Sequence, residues 1–297
     1  MPGEFDFIDW IRRQTTPHEH VLVPPGDDLA ILNWPASDLL LVGVDQVLDG
    51  VHFDSSVHPP RAIGRKAMNR NLSDCAAMAC LPAAAVATAA LPRGVGLDYA
   101  KEIYLGMREA GDAFDCPVVG GDTATWDGKL AVGVTIFGKS AGLKPILRSG
   151  ARPGDGIYVT GPLGGSILGR HLAFEPRVAI ARKLASLGSI TAMIDVSDGL
   201  SRDLAHVCRA SNVGATVMAD LVPVHEDAIE MRRRDGRTPL EHALHDGEDY
   251  ELLFTGQPGY YFASTRVGTI TEEPGVWLQA ATGEREELAP KGWEHRL

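Results

Sequence analysis

Met193-Ile194-Asp195-Val196-Ser197-Asp198-Gly199-Leu200 closes a compact apolar run with two carboxylates three residues apart, then passes into a helical pattern at 199–210. A strand that delivers acids into a turn and onward into a helix is how layered α/β domains present chemistry at strand ends. The same texture recurs upstream. Residues 39–44 read as a buried strand ending at Asp45, and 117–119 as a short strand delivering Gly120-Gly121-Asp122. Between them Pro59-Pro60 opens a long helix through about Cys80, which carries Asn71-Leu72-Ser73-Asp74 and is closed by Leu81-Pro82. Strands are expected at 83–90 and 130–137, and helices at 5–14 and 97–114. In the second half a strand at 157–160 leads into a glycine turn at 161–165, helices follow at 166–173 and 177–187, and 250–255 is again a strand. The stretch 139–155 is rich in Gly, Pro, Lys and Arg. It marks a boundary between domains at 1–143 and 144–297. The expected fold class is α/β (α+β), in two domains.

Bulk composition narrows the function. Hydrophobic residues make up 44% of 297, enough for sizeable cores, and the net charge is −11. A nucleic-acid binder would need a basic stripe, and membrane contact is not expected. Cys75, Cys80, Cys116 and Cys208 show no metal-ligand spacing and read as reduced thiols of a cytosolic protein. No basic-plus-apolar leader and no apolar run of membrane length is visible, so a cytoplasmic location is expected.

Five acidic clusters span the chain: Gly26-Asp27-Asp28, Val44-Asp45, Asn71-Leu72-Ser73-Asp74, Gly120-Gly121-Asp122 and Asp195-Val196-Ser197-Asp198. Most adjoin glycine, serine or apolar residues, where a carboxylate is costly to bury unless something positive neutralises it. A hard divalent cation with oxygen ligands does so economically, and Mg²⁺ in such a setting usually accompanies a phosphate. Plainer readings stand beside this one. Asp74 suits the wet face of its helix, and Gly26-Asp27-Asp28 suits an Asp-rich turn. The glycines before Asp122 suit a turn needing positive φ, and Ser197 or Asp198 suits a helix N-cap. The 161–166 turn lacks the Gly-Lys-Ser/Thr of a P-loop, so a tight turn competes with a phosphate cradle. Arg148, at the domain junction, is either a phosphate clamp or a solvated linker charge. Glu248, in Gly247-Glu248-Asp249-Tyr250-Glu251, contributes to an acidic rim before a strand. His52, between apolar neighbours, is by itself more readily a satisfied structural residue than a ligand contact. His18 and His20 are too isolated to count as ligands.

Taken in order, Gly3-Glu4-Phe5, Gly26-Asp27-Asp28, Asp49-Gly50-Val51-His52-Phe53, 71–78, 120–123, 148–155, Val159-Thr160-Gly161, 195–200 and 247–252 resemble the thiamine-monophosphate kinases. These belong to the superfamily that includes aminoimidazole ribonucleotide synthetase, and the resemblance runs collinearly over nearly the whole chain. It implies the two-domain fold of that superfamily. The N-terminal mixed sheet would pair in a homodimer, and the C-terminal α/β domain would complete an ATP and substrate site. It implies Mg-dependent transfer of the ATP γ-phosphoryl group to thiamine monophosphate, giving thiamine diphosphate and ADP, with several Mg²⁺ ions and room for a monovalent cation. Carried over by motif, Asp28, Asp45, Asp74, Asp122, Asp195 and Asp198 become metal ligands. Tyr104, Gly121, Asp122, Arg148 and Ser197 become ATP contacts. His52, Glu248 and Trp293 become thiamine phosphate contacts, and Asp122, Asp198 and Arg148 the catalytic set.

The chain departs from the family pattern at Gly43, Val44 and Gln46, where Ser or Thr is usual. It departs again in shorter segments after Gly165 and after Phe254, and in its ending, Trp293-Glu294-His295. The alternatives are another ATP-dependent enzyme of the superfamily and a non-catalytic Mg-nucleotide-binding paralogue.

Overall fold

The computed structural model describes residues 4–15, 17–23 and 30–292. Gly26-Asp27-Asp28 and Trp293 therefore lie outside the described residues. The chain divides into two compact units: one takes in the chain up to Cys75 together with Cys80–Gly142, the other Ala76–Ala79 and the chain from Leu143 onward.

The first unit runs α1 (Glu4–Gln14), β1 (Val21–Val23), β2 (Ile31–Leu32), β3 (Leu40–Leu48), α2 (Pro60–Ala77), β4 (Leu81–Pro92), α3 (Leu97–Asp112), β5 (Val118–Trp126) and β6 (Ala131–Lys139). β1 and β2 form a small antiparallel pair, and the main sheet has the order β3-β6-β4-β5. It is mixed: β6 is antiparallel to both β3 and β4, whereas β4 and β5 are parallel. β3 alternates in exposure, as a strand covered on one face must. Leu40, Val42 and Val44 are 55%, 60% and 70% exposed, while Val47 on the other face is fully buried. Ile63, Met68 and Leu72 of α2 and Ile103, Tyr104 and Met107 of α3 share one core with Val47, Val132, Val134 and Ile136 of the sheet.

Two glycines let those helices meet. A Cβ on Gly64 of α2 would lie 1.9 Å from the Ile103 carbonyl oxygen, and one on Gly106 of α3 would lie 2.0 Å from that of Arg61. Arg61 then reaches Glu102 and Glu109, and Arg65 reaches Glu109, stitching the crossing from outside.

The second unit runs β7 (Gly156–Val159), α4 (Val178–Ser186), β8 (Ile190–Asp195), α5 (Leu200–Ser211), β9 (Gly214–Met218), α6 (Glu226–Asp235), α7 (Pro239–His245), β10 (Leu252–Gly256), β11 (Thr265–Thr271), β12 (Gly275–Gln279) and β13 (Arg285–Glu287). Its seven strands take the order β13-β12-β9-β11-β7-β10-β8. Leu200, Leu204 and Val207 of α5 pack with Ile157, Ile194, Val217 and Leu253 in a core of their own.

Several expectations need correction. Asp45 does not end a strand. β3 continues to Leu48, with Asp45 opposite Val134 and Val47 opposite Val132. The polar pair Asp45-Gln46 reads as a break only while its partner strand is unseen. Gly120-Gly121-Asp122 is likewise not a turn but the middle of β5, paired in parallel with 86–88 of β4. The long helix stops at Ala77 rather than Cys80. Ala79 adopts φ 53, and the Cys80 amide returns to the Cys75 carbonyl at 3.0 Å, a left-handed helix exit. The helix expected at 166–173 is two 3₁₀ turns, Ser166–Leu168 and Arg170–Leu172, split by Gly169 at φ 140.

Candidate active site

In the first unit, α2 carries Asp74 over the sheet face that holds Asp45. Arg70, one turn before Asp74, donates from Nε to Asp45 Oδ2 at 3.0 Å. A Cβ on Gly43, two residues from Asp45 along β3, would lie 3.7 Å from Asp74 Oδ2. Helix and strand thus bring two of the six expected metal ligands to one face of the sheet, with Arg70 paired to Asp45. The absence of a hydroxyl at 43 leaves that space open. Asp122 stands apart at the other edge of the sheet. β6 and β4 separate its strand from β3, so about 14 Å lies between the two backbones at ~4.8 Å per strand. One ion cannot join Asp45 and Asp122 directly within this unit.

Gly121 has a structural reason of its own, because a Cβ there would lie 1.9 Å from the Ala87 carbonyl oxygen. Tyr104 is only 5% exposed and its ring meets Trp10 edge-on at 5.6 Å. Burial raises its phenol pKa.

His52 sits in a tightly built turn after β3. Its amide donates to the Leu48 carbonyl at 2.9 Å, and its ring Nδ1 accepts the Leu48 amide at 3.1 Å. Its carbonyl accepts from Lys66 Nζ at 2.6 Å. The same turn is closed by Asp49, whose carboxylate takes both the amide and the hydroxyl of Ser55.

In the second unit two acidic segments run side by side. Asp195 ends β8 opposite Leu252. The ladder then continues as Val196 N–H to Glu251 O at 2.7 Å, Tyr250 N–H to Val196 O at 2.9 Å and Glu248 N–H to Ser197 O at 2.8 Å. The expected cap by Ser197 or Asp198 is absent, because Gly199 holds the N-cap position of α5 with no side-chain bond. Asp203, from the first turn of α5, reaches back and accepts the amides of Asp198 and Gly199, each at 3.1 Å. Burial first, then the charges of Asp195 and Asp198, push its carboxyl well above the ordinary range. Asp198, Asp203 and His206 each offer a ligand atom within 4.8 Å of the others. Burial and then Arg148 lower the His206 imidazole pKa, against the pull of Asp198. Arg148 is therefore within electrostatic reach of this corner. Its carbonyl accepts from Ser211 Oγ at 3.3 Å, at the far end of α5. Asp203 and His206 were missed in the sequence, although their spacing of three along a helix puts them on one face.

The 247–251 segment is held from below. Glu248 and Tyr250 adopt φ 55 and φ 52. Such left-handed backbone in side-chain-bearing residues is sparsely populated and clusters at functional sites. Glu248 Oε2 lies 3.2 Å from Nδ1 of His171, which is fully buried, and the Glu248 carbonyl accepts from Ser166 Oγ at 2.6 Å. Asp249 takes the Gly164 amide at 2.9 Å and Arg170 at 3.0 Å. The Gly165 amide goes to Asp246 at 3.1 Å. The glycine turn thus spends these amides on carboxylates, which leaves the tight-turn reading and not the phosphate cradle.

Two family models match the chain: AIR synthase related protein, N-terminal domain, over residues 26–140, and its C-terminal domain over 152–276. A thiamine-monophosphate kinase of Rhodopirellula baltica is 42% identical over 98% of this chain and 97% of that relative. That of Aquifex aeolicus is 31% identical over 99% and 98%. Among solved structures, the thiamine-monophosphate kinase of Stenotrophomonas maltophilia superposes with a TM-score of 0.81 at 32% identity, covering 95% of this chain and 97% of that one. A structure described as AaThiL complexed with AMPPCP and TMP superposes with a TM-score of 0.79 at 29% identity, covering 99% and 97%. The hydrogenase maturation protein HypE shares the fold alone, at 20% identity and a TM-score of 0.74.

Proposed function

Given that the chain belongs to the AIR synthase related protein family, and within it to the thiamine-monophosphate kinases, we propose the following division of its chemistry. The chain is an ATP-dependent phosphotransferase that moves the γ-phosphoryl group of ATP to thiamine monophosphate, releasing thiamine diphosphate and ADP. The observation that carries this reading is likeness over almost the full length to kinases of one specificity, one of them 42% identical. We assign residues 1–143 to metal and ATP binding and dimerisation, and 144–297 to completing the ATP and substrate site.

Several Mg²⁺ ions, no one of them shared by Asp45 and Asp122, would be held among Asp45, Asp74, Asp122, Asp195 and Asp198, with Asp28 and any monovalent ion entering on sequence alone. The donor set fits a hard cation, since all are carboxylates. The crowding of Asp195 and Asp198 that burdens Asp203 is the kind of field a dication offsets. Bound there, such ions would supply positive charge to offset the repulsion of two phosphate groups.

The rest falls to the chain's own groups. The acceptor is a phosphate monoester with second pKa near ~6, so it is mostly ionised at neutral pH and needs no strong base. Catalysis is alignment and charge compensation. At ~4 Å and an effective dielectric of ~20, two like unit charges repel by about 4 kcal/mol. Arg148 supplies a fixed cation against that repulsion and, with Asp122 and Asp198, forms the catalytic set. Ser197, Gly121 and Tyr104 are assigned to ATP. His52 and Glu248 are assigned to thiamine phosphate, with Trp293 stacking on its ring system.

The exposed apolar row Leu40, Val42 and Val44 on β3 supports a homodimer that pairs these sheet faces. Among the described residues no helix is long and apolar enough to cross a membrane. All four cysteines are free and buried, which supports a reducing, cytoplasmic setting. The deciding experiment is ADP release with thiamine monophosphate, with and without Mg²⁺. ADP released only with an unrelated acceptor from a panel would point to another superfamily activity, and ATP binding without ADP release to a non-catalytic paralogue.

A further inference from the structure

We propose that Lys66 is a positioning residue of the acceptor site, fixing the His52 imidazole in the form that carries its proton on Nε2. The proposal rests on the reading of His52 as an acceptor contact.

Three polar atoms of His52 are engaged within one turn. The amide and ring Nδ1 both bond Leu48, to its carbonyl and from its amide, and the carbonyl receives Lys66 Nζ. A backbone N–H can only donate. Nδ1 must therefore present its lone pair, and in the neutral ring the proton sits on Nε2. A ring in that form offers an N–H donor, which suits a phosphate oxygen, and not a general base.

Lys66 is the unusual member of this arrangement. It is fully buried on α2, beside Ile63, Ala67 and Met68, which are buried too. Lysine is almost never found at such a position, because removing its amine from water is expensive. A methionine would pack there without that penalty. Among its bonds the amine makes one of 2.6 Å to the His52 carbonyl, from a side chain anchored on a core helix. The far end of the same turn is pinned independently, by the Asp49–Ser55 bonds and by Phe53, which is 4% exposed. Lys66 thus sets the one peptide unit of the turn that carries the imidazole.

The test uses the full chain labelled with ¹⁵N-histidine. Two-bond ¹H–¹⁵N correlations at neutral pH are expected to show His52 protonated at Nε2 in the wild type. In Lys66→Met the signal is expected to become a mixture of tautomers. KM for thiamine monophosphate should rise about tenfold, with kcat within twofold and KM for ATP unchanged. Lys66→Gln, which keeps an N–H donor without the charge, should recover most of the Nε2–H signature. A wild-type His52 protonated at Nδ1 overturns the proposal without any variant. So does Lys66→Met with an unaltered tautomer and unaltered KM, or with equal losses for both substrates. A wild type that binds ATP but never phosphorylates thiamine monophosphate would sink the kinase reading instead, and the tautomer measurement would still decide the role of Lys66.

Discussion

Asp198 is the side chain whose loss is most diagnostic. Its amide is tied to Asp203 and its carboxylate lies in the corner shared with Asp203 and His206. Asp198→Asn is expected to abolish ADP release while leaving the unfolding temperature within a few degrees of the wild type. Normal turnover in that variant would count heavily against the metal scheme. For Trp293→Ala the expectation is weaker thiamine phosphate binding with nearly unchanged ATP binding, read by titration of each ligand. Asp249 makes a prediction in pH. Burial lifts its carboxyl from an ordinary 3.8 to about 7, against the opposing pull of Arg170 and the Gly164 amide. The folded chain therefore holds this proton more tightly than the unfolded chain does. The resulting stabilisation is fully present below the unfolded value, is lost as pH rises toward about 7, and is absent above it. Thermal unfolding of Asp249→Asn compared with wild type between those limits should lack that component of the slope. Identical slopes would show that Asp249 titrates normally.

At the scale of elements, the crossing of α2 over α3 controls where Asp74 and Lys66 stand, because both ride on α2. The crossing depends on Gly64 and Gly106, each of which lies against the other helix's backbone. Gly106→Ala has a backbone carbonyl in its way rather than a flexible side chain. Overpacking of this kind costs roughly 1–3 kcal/mol. A drop in the denaturation midpoint, together with weaker acceptor use, is expected, and an unchanged midpoint would mean the helices separate freely. α5 makes a complementary case. Asp203 of its first turn reaches back to the amides of Asp198 and Gly199, just before the helix, and Gly199 holds the N-cap position, which leaves the Ser197 and Asp198 side chains outside the capping role assigned to them by sequence. Patterning made α2, α3 and α5 legible, since their apolar residues recur at helical intervals. The interiors of β3 and β5 were not legible, because Asp45-Gln46 and Gly120-Gly121 look like interruptions until their partner strands are in place.

For the whole molecule the open face of the first sheet is the feature to test. Leu40, Val42 and Val44 expose an apolar row along a strand whose other face is packed. Val44→Lys is expected to convert a dimer into a monomer, measured by light scattering on a sizing column, with each unit still folded. A wild-type chain that is already monomeric at micromolar concentration would remove the homodimer.

The chain's order of motifs by itself determined the family, the two-part organisation and the presence of acids at 45, 74, 122, 195 and 198, because these depend on local pattern and on residue identity. Which acids actually meet was decided only by tertiary structure. α2 lays Asp74 beside Asp45 while two strands keep Asp122 away, and the turn of α5 folds Asp203 back onto Asp198. The partners of His52 and Glu248 had the same origin. Lys66 is fourteen residues from one, and His171 is far from the other in sequence. Contacts of that kind form when buried surfaces close over one another, and no spacing rule along the chain encodes them.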